Sequence, residues 1–153
     1  MRLKDKVAII TGAGLGMGRA GAVLFAREGA SVLIFDINEK AARETERMIK
    51  EEGGKCAVYI GDVSKENDVK GGVEEAVKQF GKLNILYANA GVLWKDRDKS
   101  VIETTEENWD IVQAINLKGA FFLTKHGIPY LKKAGGGSII LVGSISALVG
   151  FTL

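Results

Sequence analysis

The residues best suited to chemistry by type and spacing are the run Thr11-Gly12-Ala13-Gly14-Leu15-Gly16-Met17-Gly18 and, eighteen positions past it, Asp36. Glycine lets the chain turn tightly and lets a bulky anion reach amides that a Cβ would screen. Where such a turn opens a helix, free N–H groups and the helix dipole favour a pyrophosphate. A strict G-x-G-x-x-G does not fit: counted from Gly12 it ends on Met17, and counted from Gly14 on Arg19. T-G-x-x-x-G-x-G does fit, through Thr11, Gly12, Gly16 and Gly18. No Gly-Lys-Ser/Thr closes the turn, which excludes a Walker A loop. Asp36 ends the next apolar run, where a carboxylate can accept both hydroxyls of an adenosine ribose and repel a 2′-phosphate. Ile37 and Asn38 follow it, with no Arg or Lys, which favours NAD over NADP. The competing reading is a merely flexible loop, with Asp36 beginning an Asn38-led helix cap.

A pyrophosphate turn needs a strand before it and a helix after it. Continuous apolar runs at 7–10, 31–35, 56–60, 84–88 and 138–142 read as strands buried on both faces of a parallel sheet. Between them lie segments of helical period, with Ala41, Ala42, Thr45, Met48 and Ile49 on one face and Val69, Val73, Ala76, Val77 and Phe80 on another. Gly29, Gly53, Gly81 and Gly135 suit left-handed helix ends. Thr104-Thr105-Glu106-Glu107 reads as a capping box that opens a helix running to about Leu123. The order β-α-β-α-β-α-β-α-β predicts an α/β doubly wound parallel sheet, a Rossmann fold, with ligands at the carboxyl ends of its strands.

Further residues at those strand ends complete a pattern. Asp62-Val63 follows the third run, Asn89-Ala90-Gly91 the fourth and Ser144 the fifth, while Asn116 lies in the helix after Trp109. With the 11–18 turn, these motifs resemble, in order, those of the short-chain dehydrogenase/reductase family. The resemblance implies that Asp62 and Val63 contact adenine and that Asn89, Ala90 and Gly91 border the coenzyme. It further implies that Asn116 holds a water of a proton relay and that Ser144 hydrogen-bonds the substrate oxygen. The reaction it implies is hydride transfer between NAD(H) and a small secondary alcohol or ketone, in a protein that assembles as a homodimer or homotetramer. Singly, each residue has a plainer reading: Asp62 ends a strand, Asn89 bridges strands, Asn116 is a buried amide and Ser144 belongs to a loop.

The family's tyrosine–lysine pair, Y-x-x-x-K, does not occur. Tyr59, Tyr87 and Tyr130 are followed four positions later by Val63, Gly91 and Ala134. The sequence stops at Leu153, nine residues past Ser144. The expectation is therefore one domain, 1–153, forming the coenzyme-binding portion of a longer enzyme, C-terminally incomplete and inactive alone. With the 138–142 strand at a sheet edge and the apolar residues Ala147, Leu148, Val149 and Phe151 beyond it, the isolated chain is expected to be poorly soluble or partly molten.

Composition narrows the rest. The 153 residues carry 21 Lys and Arg against 19 Asp and Glu, a net charge of +2 that gives no reason to expect nucleic acid as a partner. One cysteine, Cys56, and one histidine, His126, argue against a disulfide framework or a metal site. Cys56 reads as core, and His126 as a surface or capping group near a helix end. No apolar run is long enough to span a bilayer, and the expected location is cytoplasmic. Lys95-Asp96-Arg97-Asp98-Lys99, between Trp94 and Trp109, reads as a solvated loop. Two rival functions are a non-catalytic NAD(H)-binding protein and an S-adenosylmethionine methyltransferase; the Asn89-Ala90-Gly91 and Ser144 matches count against the latter.

Overall fold

A computed structural model of the chain describes residues 1–94, 96–97, 99–145 and 149. Expectations that fall on Lys95, Asp98, Ala147, Leu148 and Phe151 lie outside those residues. In β1 (Val7–Thr11) the apolar run is unbroken because both faces are covered: Val7 and Ile9 join one core layer, Ala8 and Ile10 the other. In β2 (Ser31–Asp36), Leu33 and Phe35 face the first layer and Val32 and Ile34 the second. With β3 (Lys55–Ile60), β4 (Ile85–Ala88) and β5 (Ser138–Leu141), they form one sheet in the order β3-β2-β1-β4-β5. Every pairing is parallel. α1 (Gly16–Arg27) and α2 (Glu39–Glu51) pack on one face. On the other lie α3 (Glu66–Phe80) and, after the short α4 (Glu106–Gln113), α5 (Gly119–Lys133). This is the doubly wound α/β sheet that the alternation predicts. Strand order reverses between β1 and β4, which opens a crevice at their carboxyl ends.

The region after β4 departs from expectation in three ways. Thr105, rather than Thr104, caps α4: its Oγ1 accepts the Asn108 N–H at 3.2 Å, while Thr104 donates to the Ser100 carbonyl at 3.0 Å. The helix expected to close near Leu123 runs on to Lys133 through a π-helical turn at Ala114–Lys118. Gly127 and Pro129 are poor helix formers, yet Gly127 lies so close to Leu86 that an added Cβ would come within 2.6 Å of its Cδ2. Packing here overrides propensity. His126 consequently sits inside α5, partly buried, with Nε2 at 2.9 Å from Glu66 Oε1 on α3. It is an inter-helix partner, not a group near a helix end. β5 lies at a sheet edge with all four residues exposed.

Candidate functional site

α1 begins at Gly16 with neither a side-chain cap nor an acidic residue in its first turn. α2, by contrast, is capped by Asn38, whose Oδ1 accepts the Ala41 N–H at 3.0 Å. The first-turn amides of α1 are thus left to solvent or a ligand, at the positive end of the helix dipole. Gly12 and Gly16 take φ of +65° and +54°, a region costly for other residues. A Cβ at Gly16 would meet nothing within 4 Å, so this glycine opens the turn onto free space. A Cβ at Gly18 would overlap the Gly12 carbonyl oxygen and lie 2.6 Å from Asn89 Nδ2. Gly18 therefore serves the close approach of helix to strand.

Behind the turn, β1 and β4 are stitched together. Thr11 Oγ1 accepts the N–H groups of Asn89 and Ala90, each at 3.1 Å. Asn89 Nδ2 donates to the Thr11 carbonyl at 3.0 Å and the Gly12 carbonyl at 3.3 Å. The strand-bridging reading of Asn89 describes its amide nitrogen. Its Oδ1 is buried with no hydrogen-bond partner, an acceptor that a bound donor would satisfy.

At the end of β2, Asp36 Oδ2 accepts the Gly14 N–H at 2.7 Å and Oδ1 accepts the Asn38 N–H at 2.9 Å. Each oxygen keeps a second acceptor site for a sugar hydroxyl. After β3, Asp62 Oδ1 accepts the Ser64 N–H at 2.9 Å and the Ser64 hydroxyl at 2.7 Å, which folds its carboxylate into a turn.

A cleft of about 400 Å³ gathers these elements. Among the expected coenzyme residues, Gly12, Gly16, Met17, Asp36, Asp62, Val63, Asn89, Ala90 and Gly91 line it; Thr11 and Gly18 lie behind it as structural supports. Leu15, Ile37, Val92 and Ile115 add apolar wall. Asn116 stands in the π-helical turn and does not line the cleft. Its Oδ1 accepts the Val92 N–H at 2.8 Å and its Nδ2 donates to the Val92 carbonyl at 3.0 Å, so it fixes the cleft wall instead. Ser144 is exposed beyond β5 and is not a lining residue, and none of Tyr59, Tyr87 and Tyr130 is. A cleft with uncapped amides at one wall, a carboxylate at the end of β2 and apolar surface between fits a nicotinamide dinucleotide.

Sequence reasoning gave no sign that the Gly14 N–H donates to Asp36 or that the Thr45 hydroxyl donates to the Ala13 carbonyl at 2.9 Å. Gly14 fills a position that the T-G-x-x-x-G-x-G pattern leaves open, and Thr45 reads only as part of an apolar helix face. Cys56 is half-buried; burial pushes its thiol up to about 11, which leaves it a poor nucleophile. Among the described residues, no group of three or more His, Cys, Asp and Glu could hold a metal ion, and no helix is long and apolar enough to cross a membrane.

Comparison with known proteins gives a consistent result. The family model for short chain dehydrogenase matches residues 6–153. The chain is 43% identical over 150 residues to an oxidoreductase of Thermotoga maritima, covering 98% of this chain and 58% of that protein. It is 38% identical over 149 residues to the cyclohexanol dehydrogenase of an Acinetobacter species, covering 97% and 59%. It is 39% identical over 153 residues to the 3-oxoacyl-acyl-carrier-protein reductase of Thermotoga maritima, covering 98% and 60%. A crystal structure from Burkholderia xenovorans, described as a short-chain dehydrogenase/reductase, superposes with a TM-score of 0.91 at 32% identity, covering 97% of this chain and 60% of that one. The chain thus spans about three-fifths of the length of these relatives. With the parallel sheet, the glycine turn and the strand-end cleft already in place, the match over nearly every residue identifies this chain as a member of the short-chain dehydrogenase family of oxidoreductases.

Proposed function

We propose that this chain is a single coenzyme-binding domain that supplies the NAD(H) site of an oxidoreductase acting on a secondary alcohol or ketone. The observation that carries this reading is the convergence of the uncapped α1 turn, Asp36, Asp62-Val63 and Asn89-Ala90-Gly91 on one cleft. The first-turn amides of α1 hold the pyrophosphate, and the missing Cβ at Gly16 lets it approach. Asp36 takes the adenosine ribose and, with Ile37 and Asn38 beside it in place of a cation, disfavours a 2′-phosphate. Asp62 and Val63 border the adenine, and Asn89, Ala90 and Gly91 form the wall along the rest of the coenzyme. The coenzyme, when bound, supplies the hydride chemistry. Ser144 donates a hydrogen bond to the substrate oxygen, and Asn116 holds the cleft wall and a relay water. The names of the cyclohexanol dehydrogenase and 3-oxoacyl-acyl-carrier-protein reductase relatives support the alcohol and ketone class. Exposed Trp109 on α4, Leu117 in the π-helical turn and Phe121 on α5 support self-assembly as a dimer or tetramer, and the single cysteine suits a reducing, cytoplasmic setting.

A competition titration tests the coenzyme reading. NADH fluorescence on the chain should be displaced by ADP-ribose and unaffected by S-adenosylmethionine; displacement by the latter would overturn it.

A further inference from the structure

We propose that Thr45 is a positioning residue for the coenzyme turn, and that Thr45 and Asp36 together pin a single peptide unit from its two ends. The Ala13 carbonyl and the Gly14 N–H belong to one planar group. The N–H donates to Asp36 Oδ2 at 2.7 Å, from the end of β2. The carbonyl accepts the Thr45 hydroxyl at 2.9 Å, from the middle of α2. A peptide held at both oxygen and nitrogen cannot rotate without losing two hydrogen bonds. The direction in which the chain enters Leu15 and the uncapped first turn of α1 is thereby set.

Thr45 is built for this task. It is fully buried on the face of α2 that carries Ala41, Ala42 and Ile49, where an aliphatic side chain would satisfy packing alone. Its oxygen accepts the Arg19 Nε–H at 3.1 Å, from the second turn of α1. That bond occupies a lone pair and leaves the hydroxyl proton for carbonyls; Ala13 is nearest, with Ala41 at 3.3 Å and Gly14 at 3.4 Å. The same geometry explains Gly14: a Cβ there would lie 2.8 Å from Asp36 Oδ2 and 2.9 Å from Ala41 Cβ. Asp36 thus faces both the ligand and the turn, whereas Thr45 lies outside the cleft lining and reports on the turn alone.

The inference rests on the coenzyme reading above, and the test separates the two. Thr45→Val removes the hydroxyl at constant shape; Thr45→Ser keeps it. Hydrogen–deuterium exchange on the free chain should rise in Thr45→Val within residues 11–18 and stay parental in β2 and β4. NADH titration of the same variant should show affinity weakened about tenfold, as expected for a lost buried hydrogen bond. Thr45→Ser should restore both. Parental exchange and parental NADH affinity in Thr45→Val would overturn the inference, as would exchange raised throughout the sheet in both variants. Should Thr45→Val fail to fold, Thr45→Ala, which also removes the hydroxyl that donates to the Ala13 carbonyl, should give the same localised rise in exchange; no rise would overturn it. A parental chain that takes up no NADH overturns the coenzyme reading, and the exchange pattern then still decides the pinning.

Discussion

Replacing Gly18 by alanine should cost this fold far more than replacing Gly16, although both are motif glycines of the same turn. At Gly18 the new methyl would overlap the Gly12 carbonyl oxygen and lie 2.6 Å from Asn89 Nδ2 and 2.8 Å from the Gly12 carbonyl carbon. Those neighbours are backbone, or an amide already held by two hydrogen bonds, so none can swing aside. α1 must retreat by about an ångström to restore ordinary contact distances. The cost belongs at the upper end of overpacking effects, about 3 kcal/mol. For a chain of this size that lowers Tm by about 6–12 °C. Gly16→Ala meets no atom within 4 Å and loses only the left-handed backbone preference, about 1 kcal/mol. Its methyl faces open space at the turn, so its larger effect should fall on NADH affinity. Thermal melts by circular dichroism at fixed pH, paired with NADH titration, separate the two costs. A Gly18→Ala chain that melts at or above the Gly16→Ala chain would refute the reasoning.

Asp36→Asn should weaken NADH about tenfold and shrink its advantage over NADPH, since a charged acceptor of the ribose is lost; an unchanged preference in paired fluorescence titrations would contradict the ribose role. Cys56, with its thiol held at about 11 by burial, should react slowly with iodoacetamide at pH 8 in the folded chain and rapidly in urea. Equal rates would refute its burial. Lys125 and then His126 hold the Glu66 carboxyl below its usual range. Its stabilising contribution is therefore present above the unfolded value, about 4.3, and is lost as pH falls through the lower folded one. Melts of Glu66→Gln should show a shallower acid-side decline than the parent, by a small margin because the Lys125–Glu66 pair is solvent-exposed; an identical decline would contradict the linkage.

What the sequence disclosed, and what it hid, follows from the range of the interactions involved. The β1 and β2 strands were legible because residues buried on both faces leave an unbroken apolar run. The turn was legible because only glycine meets its backbone demands, and such demands stay local. Asp36 could be found from its distance past the turn, but its bond to Gly14, twenty-two positions away, leaves no pattern along the chain. Thr45 contacts Ala13 from thirty-two positions away and looks like any polar residue on an amphipathic helix. The Glu66–His126 pair spans sixty positions. The π-helical turn that presents Asn116 to Val92 was hidden for a related reason: its register is set by packing across the cleft wall, not by propensity.

Calorimetric titration of the folded parental chain with NADH, and separately with NADPH, addresses the central claim most directly. Saturable uptake at one site, tighter for NADH, is the predicted result. A chain whose circular dichroism shows native α/β structure, yet which releases no heat with either coenzyme or binds NADPH more tightly, would contradict the account.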